Sequence, residues 1–317
     1  MNFNRNSIKT VALNIECIII KTTLAKYLKN YTSHRNLVIF MIINLQENIT
    51  TYLQEKNILQ NYPSSEYGVI CESENEIAAY LYYSINHYHP SPIYLRFAIL
   101  DKDIESETLI EMYDKFETVL PSSNIIFQIH RNFDFYEHFI NARDFVEFKK
   151  TYEPEVDIHS LLSGFSDNVF GEQYTSEKFK MTERLLETTK EVYQSTHEVN
   201  PLKNMDLSEW KGLLTDDLDF ENSIVIRNQR DEIVAYTMIY ENEDTSKDVG
   251  YCYFKDQDAK QALSAEFYKT LIHLQETNFT HLNLEVDSTD QYSFEFFNRI
   301  IEDKTPALIT FIKKKND

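Results

Sequence analysis

Along the second half of the chain, apolar and polar positions alternate in patterns that assign elements without further information. Residues 223–227 are β-formers, "NQRDE" is a polar turn, and residues 233–240 are apolar again, which predicts a hairpin. Residues 249–254 predict a third strand. Leu263, Phe267, Leu271 and Leu274 then recur at helical spacing. Leu282, Leu284 and Val286 alternate as another strand, residues 294–301 read as a short helix, and residues 307–313 as a last strand. The first half follows the same order. It predicts strands over 67–71, 77–84 and 93–100, a helix over 108–116, a strand over 125–129, a helix over 133–141 and a strand near 145–149. Antiparallel strands come first and a β-α-β-α-β series follows. The predicted fold class is α/β with a mixed sheet flanked by helices, present twice.

The two halves also share residues. Glu76, Ile77, Ala79 and Tyr80 match Glu232, Ile233, Ala235 and Tyr236 at an offset of 156, and Val69 and Ile70 match Val225 and Ile226 at the same offset. Further on, Ile125, Phe127 and Ile129 match Leu282, Leu284 and Val286 at 157, as do Phe139 and Asn141 with Phe296 and Asn298. One match would be noise. An ordered series at a nearly constant offset predicts two copies of one fold, with domains over 41–152 and 160–317.

The first forty residues stand apart. The apolar stretch "VALNIECIII" is short and broken by Asn14 and Glu16, whereas a membrane span needs about 20 apolar residues. It carries no small-residue cleavage site of the secretory kind. Met41 opens a more ordinary segment. Residues 1–40 are therefore either an extension upstream of a natural start near Met41 or an irregular helix packed on the first domain.

Composition narrows the partners. The chain has 51 acidic and 31 basic residues, a net charge of -20, which repels nucleic acid and anionic membranes. It has five glycines, where average usage of about 7% would give about 22. Turns must therefore be made with Asn, Asp and Ser, and 21 Phe and 21 Tyr must fill much of the core. Cys17, Cys71 and Cys252 are odd in number and far apart, a pattern of a reducing cytoplasm. His87 and His89 make a pair without a third metal ligand nearby, and a loop pair without function explains them better.

The stretch "FKDQDAKQALSAEFY" places a polar loop between a strand and a helix, where a helix N-terminus can hold a phosphate. It contains no glycine. With the hairpin before it and the helix-loop-helix pattern of "YQSTHEVNPLKNMDLSEWKGLL", residues 165–317 resemble the GNAT N-acetyltransferase superfamily. Residues 41–152 resemble it more weakly, and the duplication resembles its tandem-domain members. The resemblance implies a coenzyme A pyrophosphate loop of the form R/Q-x-x-G-x-G/A. Gln257 and Ala262 conform to that pattern, and Lys260 stands where the first glycine would be. It thereby implies acetyl-CoA as cofactor, held by Phe254, Lys255, Gln257, Asp258, Ala259, Lys260, Gln261 and Ala262. The matching loop of the first copy, "LDKDIESET", carries four acids that would repel phosphate, so that copy reads as structural. The tyrosine that the family often uses as an acid toward the departing thiolate aligns with Phe297, which cannot donate a proton.

An N-acyl transfer needs a base and an oxyanion site. Glu285 is the candidate base and Tyr251 a candidate partner, with Tyr253 lining the cleft and His197 shaping an acceptor pocket. Solvated strand positions, aromatic core and a helix-end histidine account for the same residues. The resemblance thus implies a cytoplasmic acetyl-CoA-dependent N-acyltransferase for a cationic small-molecule or peptide amine, with activity in the C-terminal copy. The alternative is a non-catalytic tandem protein that binds a ligand or another protein.

Overall fold

The computed structural model describes residues 39–44, 67–73, 76–130, 133–165, 173–242 and 245–315. Residues 1–38, on which the reading of the N-terminal extension falls, lie outside them. Among the described residues no helix is long and apolar enough to cross a membrane. The chain divides into two units.

The first unit holds the described residues up to Gln128, residues 133–146 and residues 311–315. Its strands are β1 (Ile39–Asn44), β2 (Tyr67–Ser73), β3 (Glu76–Ser84), β4 (Ile93–Ile99) and β5 (Ile125–Ile129), in that spatial order. Neighbours are antiparallel except β4 and β5, which run parallel over Ile93↔Ile125 to Leu95↔Phe127. A parallel neighbour needs a crossover, supplied by helix α1 (Ser106–Glu117). Helix α2 (Phe133–Ala142) follows β5. Phenylalanines fill this core as composition requires, with Phe139 packed edge-on to Phe97, Tyr113 and Phe127 at 5.2, 5.6 and 5.5 Å. C-terminal residues close it, through a Phe311–Phe133 stack at 5.9 Å and a Lys313–Glu117 ion pair at 2.9 Å. Strand β1 begins two residues before Met41, so a chain starting at Met41 would lose the Ile39↔Glu72 and Phe40↔Cys71 pairs.

The second unit contains β6 (Val146–Tyr152, from Glu147 on), β7 (Glu155–Asp157), α3 (Ile158–Leu162), β8 (Tyr174–Lys178), α4 (Glu183–Thr196), α5 (Leu207–Thr215), β9 (Ile224–Asn228), β10 (Ile233–Glu241), β11 (Ser246–Phe254), α6 (Gln257–Glu276), β12 (His281–Leu284), β13 (Val286–Asp287) and α7 (Gln291–Phe297). The last strand, β14 (Leu308–Lys313), has its final residues in the first unit. The order β7-β12-β11-β10-β9-β8 gives a second mixed sheet, parallel only between β11 and β12. Side-chain alternation along β11 separates two cores. Cys252 and Phe254 face α6, while Tyr251 and Tyr253 pack with residues of α4 and α5. Capping is local: Asp206 and Glu209 form a reciprocal box at the start of α5.

Among the described residues the left-handed turn positions are filled without glycine. The described non-glycine residues with positive φ are Asp144, Asp217, Asp231 and Asn278, the residue types that tolerate this region best. Asp231 (φ 60°) closes the β9–β10 hairpin, with its N–H donating to the Asn228 carbonyl at 2.9 Å.

Candidate active site

The site follows from how β11 and β12 separate. They pair in parallel from Ser246↔His281 to Val249↔Leu284 and no further. Beyond that point β11 continues to Phe254 alone on this edge. The other strand breaks at Glu285, and Val286 and Asp287 pair with Tyr152 and Thr151 of β6. The alternating pattern at 282–286 predicts one strand, whereas the structure has two, with Glu285 at the break. Backbone groups on the open edge of β11 are thus left for another chain or ligand.

A bulge lies at the mouth of this split. Thr237 of β10 faces Cys252 and Ile239 faces Val249, so Gly250 and Tyr251 together oppose Met238. A bulge re-aims side chains and leaves a residue out of the ladder. Glycine is required here by close approach, because a Cβ at Gly250 would lie 2.6 Å from the Tyr240 ring. Strand β4 has no such shift, pairing with β3 in unbroken register from Ala79↔Ile99 to Ser84↔Tyr94.

Tyr251 stands inside an aromatic wall. Its ring centroid is 5.9 Å from Tyr193, 6.2 Å from Trp210 and 6.4 Å from Tyr240. Trp210 is fully buried, and its indole N–H donates to Thr189 Oγ1 at 3.0 Å, which fixes the wall. His197 stacks on Tyr193 at 3.9 Å, with its Nδ1 2.8 Å from the Tyr193 carbonyl oxygen. Burial pushes the Tyr251 phenol up to about 12, with the Glu285 charge adding to the shift. The two candidate catalytic residues are therefore electrostatic neighbours. Glu285 is an exposed residue, yet protein crowds its carboxyl enough for desolvation to raise its pKa above the usual carboxylate range. Asp287 and Glu153 push the same way and Lys149 opposes them. Tyr253 lies at the same face, 5.0 Å from Tyr292 and 5.4 Å from Tyr236.

The segment expected to hold pyrophosphate is shorter and more self-contained than its sequence suggests. Only Lys255 and Asp256 link β11 to α6. Asp256 is the N-cap and accepts from the Ala259 N–H at 2.9 Å, occupying part of the helix start with a carboxylate. Gln257 Nε2 and Lys260 Nζ both donate to Glu295 Oε1, at 2.7 and 2.8 Å. Lys255 reaches Glu232 at 3.5 Å. Phe254, Ala259 and Ala262 are buried in the core, so their side chains serve packing and only their backbone could face a ligand. Asp258 and Gln261 are exposed. Glu295, one turn into α7, gave no signal in the sequence because its partners lie 35 and 38 positions away.

Glu295 thus holds the Gln257 and Lys260 side chains of the helix start. If the resemblance holds and coenzyme A binds at this helix start, Glu295→Gln is expected to tighten it by about 0.5–1 kcal/mol, the scale of an exposed pair, and Lys260→Glu to weaken it by about 1 kcal/mol or more. Titration calorimetry on both variants checks this, and unchanged affinity in both would remove the helix start from the site.

Phe297 is 1% exposed and packs on Phe296 and Phe267 at 4.9 and 5.8 Å. It is core, and α7 turns Tyr292 toward Tyr253 instead. Among the described residues no group of three or more His, Cys, Asp and Glu could hold a metal. A polar hollow of about 570 Å³ opens elsewhere in the unit, against Tyr174, Lys178, Glu266 and Lys269, and it holds none of the residues above.

No family model matches the sequence, and no curated protein matches it. Solved structures do. A GCN5-related N-acetyltransferase from Sphaerobacter thermophilus superposes with TM-score 0.56 at 11% identity, over 88% of this chain and 96% of that one. The glucosamine N-acetyltransferase region of a fungal multi-domain GH3 beta-N-acetylglucosaminidase gives 0.51 at 8% identity, over 89% and 39%. A tandem GNAT protein from the clavulanic acid biosynthesis pathway gives 0.46 at 8% identity, over 89% and 99%. The chain has the fold of the GCN5-related N-acetyltransferases, with two mixed-sheet units.

Proposed function

We propose that this protein is a cytoplasmic N-acyltransferase that uses acetyl-CoA on an amine acceptor, with its chemistry in the second unit. The observation that supports this is the bulge at Gly250 and Tyr251 beside the β11–β12 split, which β4 of the first unit lacks. On this reading residues 41–152 and 160–317 are copies of one fold, and the N-terminal copy has a structural role.

The residues fit the cofactor at the strand edge. Beyond Val249, β11 offers unpaired backbone groups to an amide-bearing chain, as in strand addition. At the helix start, Lys260 and Gln257 fit a phosphate once Glu295 lets them go. When bound, acetyl-CoA supplies an activated thioester carbonyl. Glu285, with its raised pKa, accepts the proton of the acceptor amine. The bulged backbone at Gly250 and Tyr251 would offer N–H groups to the thioester carbonyl oxygen. Tyr251 and Tyr193 wall the acceptor, and the acidic balance of the chain favours a cationic one.

One observation favours a second reading, a non-catalytic tandem scaffold for a ligand or protein. Asp256 and Glu295 already occupy the groups that would hold pyrophosphate. Acetyl-CoA separates the two. A ligand of the native state at a hundredfold over its Kd adds about 2.7 kcal/mol, which raises the melting temperature by roughly 5–10 °C in a unit of this size. That rise is expected with acetyl-CoA, with less or none for adenosine. Neither heat nor a shift at millimolar acetyl-CoA would replace the enzyme by the scaffold.

A further inference from the structure

The break at Glu285 has its cause in the segment that faces it. Before the break, His281, Leu282 and Asn283 of β12 pair with Asp157, Val156 and Glu155 of β7. After it, Val286 and Asp287 of β13 pair with Tyr152 and Thr151 of β6. The Leu284 N–H donates to the Pro154 carbonyl at 3.0 Å, and the Ser288 N–H to the Lys150 carbonyl at 2.8 Å. Glu285 is thus tethered on both sides and lies outside both runs of pairs. Pro154 has no N–H to give, so one ladder cannot run through the facing segment.

Side chains fix the strand beyond the break. Lys149 Nζ lies 2.6 Å from Asp287 Oδ2, and Thr151 Oγ1 donates to Asp287 Oδ1 at 2.5 Å. Ser288 Oγ accepts the Lys150 N–H at 2.9 Å. Both oxygens of Asp287 are therefore engaged by β6, two positions after Glu285. Asp287 and Glu153 disfavour the ionised Glu285 carboxyl, and Lys149 favours it. Tyr251 faces the same carboxyl from β11, and Asp290 at the start of α7 feels the charge of Asp287. The repeat in the sequence counts residues 149–152 with the first copy, whereas the structure places them with Glu285 in the second unit.

We propose that Lys149 and Thr151 of β6 are positioning residues, which clamp Asp287 and thereby hold Glu285 at the open split. The inference rests on the reading of Glu285 as the base. Pro154 turns the strand away from β11, and the Asp287 clamp keeps it turned. Lys149 has a second part, because it supplies the positive charge that faces three carboxylates around the break. Residues that the repeat assigns to the N-terminal copy thus complete the site of the second unit.

The test compares the full-length wild type with Lys149→Gln, Lys149→Arg and Asp287→Asn. Carbon-13 NMR titration follows the Glu285 carboxyl, assigned with Glu285→Gln, and the pH profile of kcat/KM follows its acid limb. Lys149→Gln removes the favouring charge, so midpoint and limb should both move to higher pH. On that limb kcat/KM should fall by roughly three- to tenfold, the scale of losing one neighbouring charge. Lys149→Arg keeps the charge and should restore the wild-type profile. Asp287→Asn removes a disfavouring charge and should move midpoint and limb to lower pH, whereas a merely structural loss would not send the two variants in opposite directions. KM for acetyl-CoA should change by less than about twofold in each. A midpoint that stays in place in Lys149→Gln, or that moves the same way in Lys149→Gln and Asp287→Asn, would overturn the clamp. Should Asp287→Asn not fold, equal shifts in Lys149→Gln and Lys149→Arg would overturn it. Absence of acetyl transfer by the wild type, with the opposite NMR shifts present, would instead overturn the enzyme reading and leave the clamp standing.

Discussion

Glu285→Gln is expected to lower kcat/KM for acetyl transfer by about 10²–10⁴, the range of a positioned general base, while acetyl-CoA still binds. The amide keeps size and polarity and loses only the ability to accept a proton. On the proposed reading Glu285 acts in its ionised form, and its pKa is raised above the ordinary carboxylate value. Activity of the wild type should therefore fall as pH drops through that raised pKa, and this acid limb should vanish in the variant. A Glu285→Gln enzyme with unchanged kcat/KM and an unchanged acid limb would assign the base elsewhere. Tyr251→Phe gives a contrast. With its phenol pushed up to about 12, Tyr251 stays neutral near pH 7 within the aromatic wall, so on the proposed reading its loss should be smaller and leave the acid limb in place.

Much of this arrangement was legible because the buried strands are runs of β-formers bounded by polar turns. The hairpin β9–β10 and the helix α6 announce themselves in apolar periodicity, and Glu285 and Tyr251 are adjacent only once β11 and β12 are placed side by side. Strand β8 gave no signal, since its sequence "YTSEK" is almost wholly exposed and has no buried face. The bulge was also hidden, although the repeat contains its trace. Leu95 and Val249, the last parallel-paired residues of each unit, are 154 apart, whereas Ile99 and Phe254, both opposite the matched alanines 79 and 235, are 155 apart. That extra residue is the bulge. It cannot be found without knowing the pairing, because one inserted residue leaves the apolar pattern nearly intact. Glu295 was illegible for a different reason. Its ion pair with Lys260 is made by two surface side chains on separate helices, which no periodicity reports.

Asp219→Ala is expected to destabilise the second unit by about 3–5 kcal/mol, because it strands a buried cation. Lys247 is 4% exposed at its side chain, near the closed end of the split, and its Nζ lies 2.9 Å from Asp219 and 2.5 Å from Glu241. It also sits 4.4 Å from the Phe279 ring centroid. Asp219 is as deeply buried and accepts from Asn222 Nδ2 at 2.7 Å and from the Glu221 and Asn222 N–H groups. Glu241 is 56% exposed and cannot replace it. The melting temperature should fall by roughly 10 °C or more. Asp219→Leu combined with Lys247→Met should recover most of the loss, since it removes both charges. The pH dependence has a definite sign. Burial alone would raise the Asp219 carboxyl, but hydrogen bonds from Asn222 and Lys247 outweigh it and the folded pKa is lowered. Its contribution is therefore complete above the unfolded value of about 3.9 and is lost as pH falls through the lower folded pKa. For Lys247, burial would lower the ammonium, yet Glu241 and Asp219 raise it, so its share is lost only as pH rises through a value above the usual lysine range. Denaturant unfolding of the wild type and Asp219→Asn between pH 3 and 7 measures the acid side, and the two curves should converge toward the acid end. Parallel curves across that range would mean that Asp219 holds its loop by shape and not by charge.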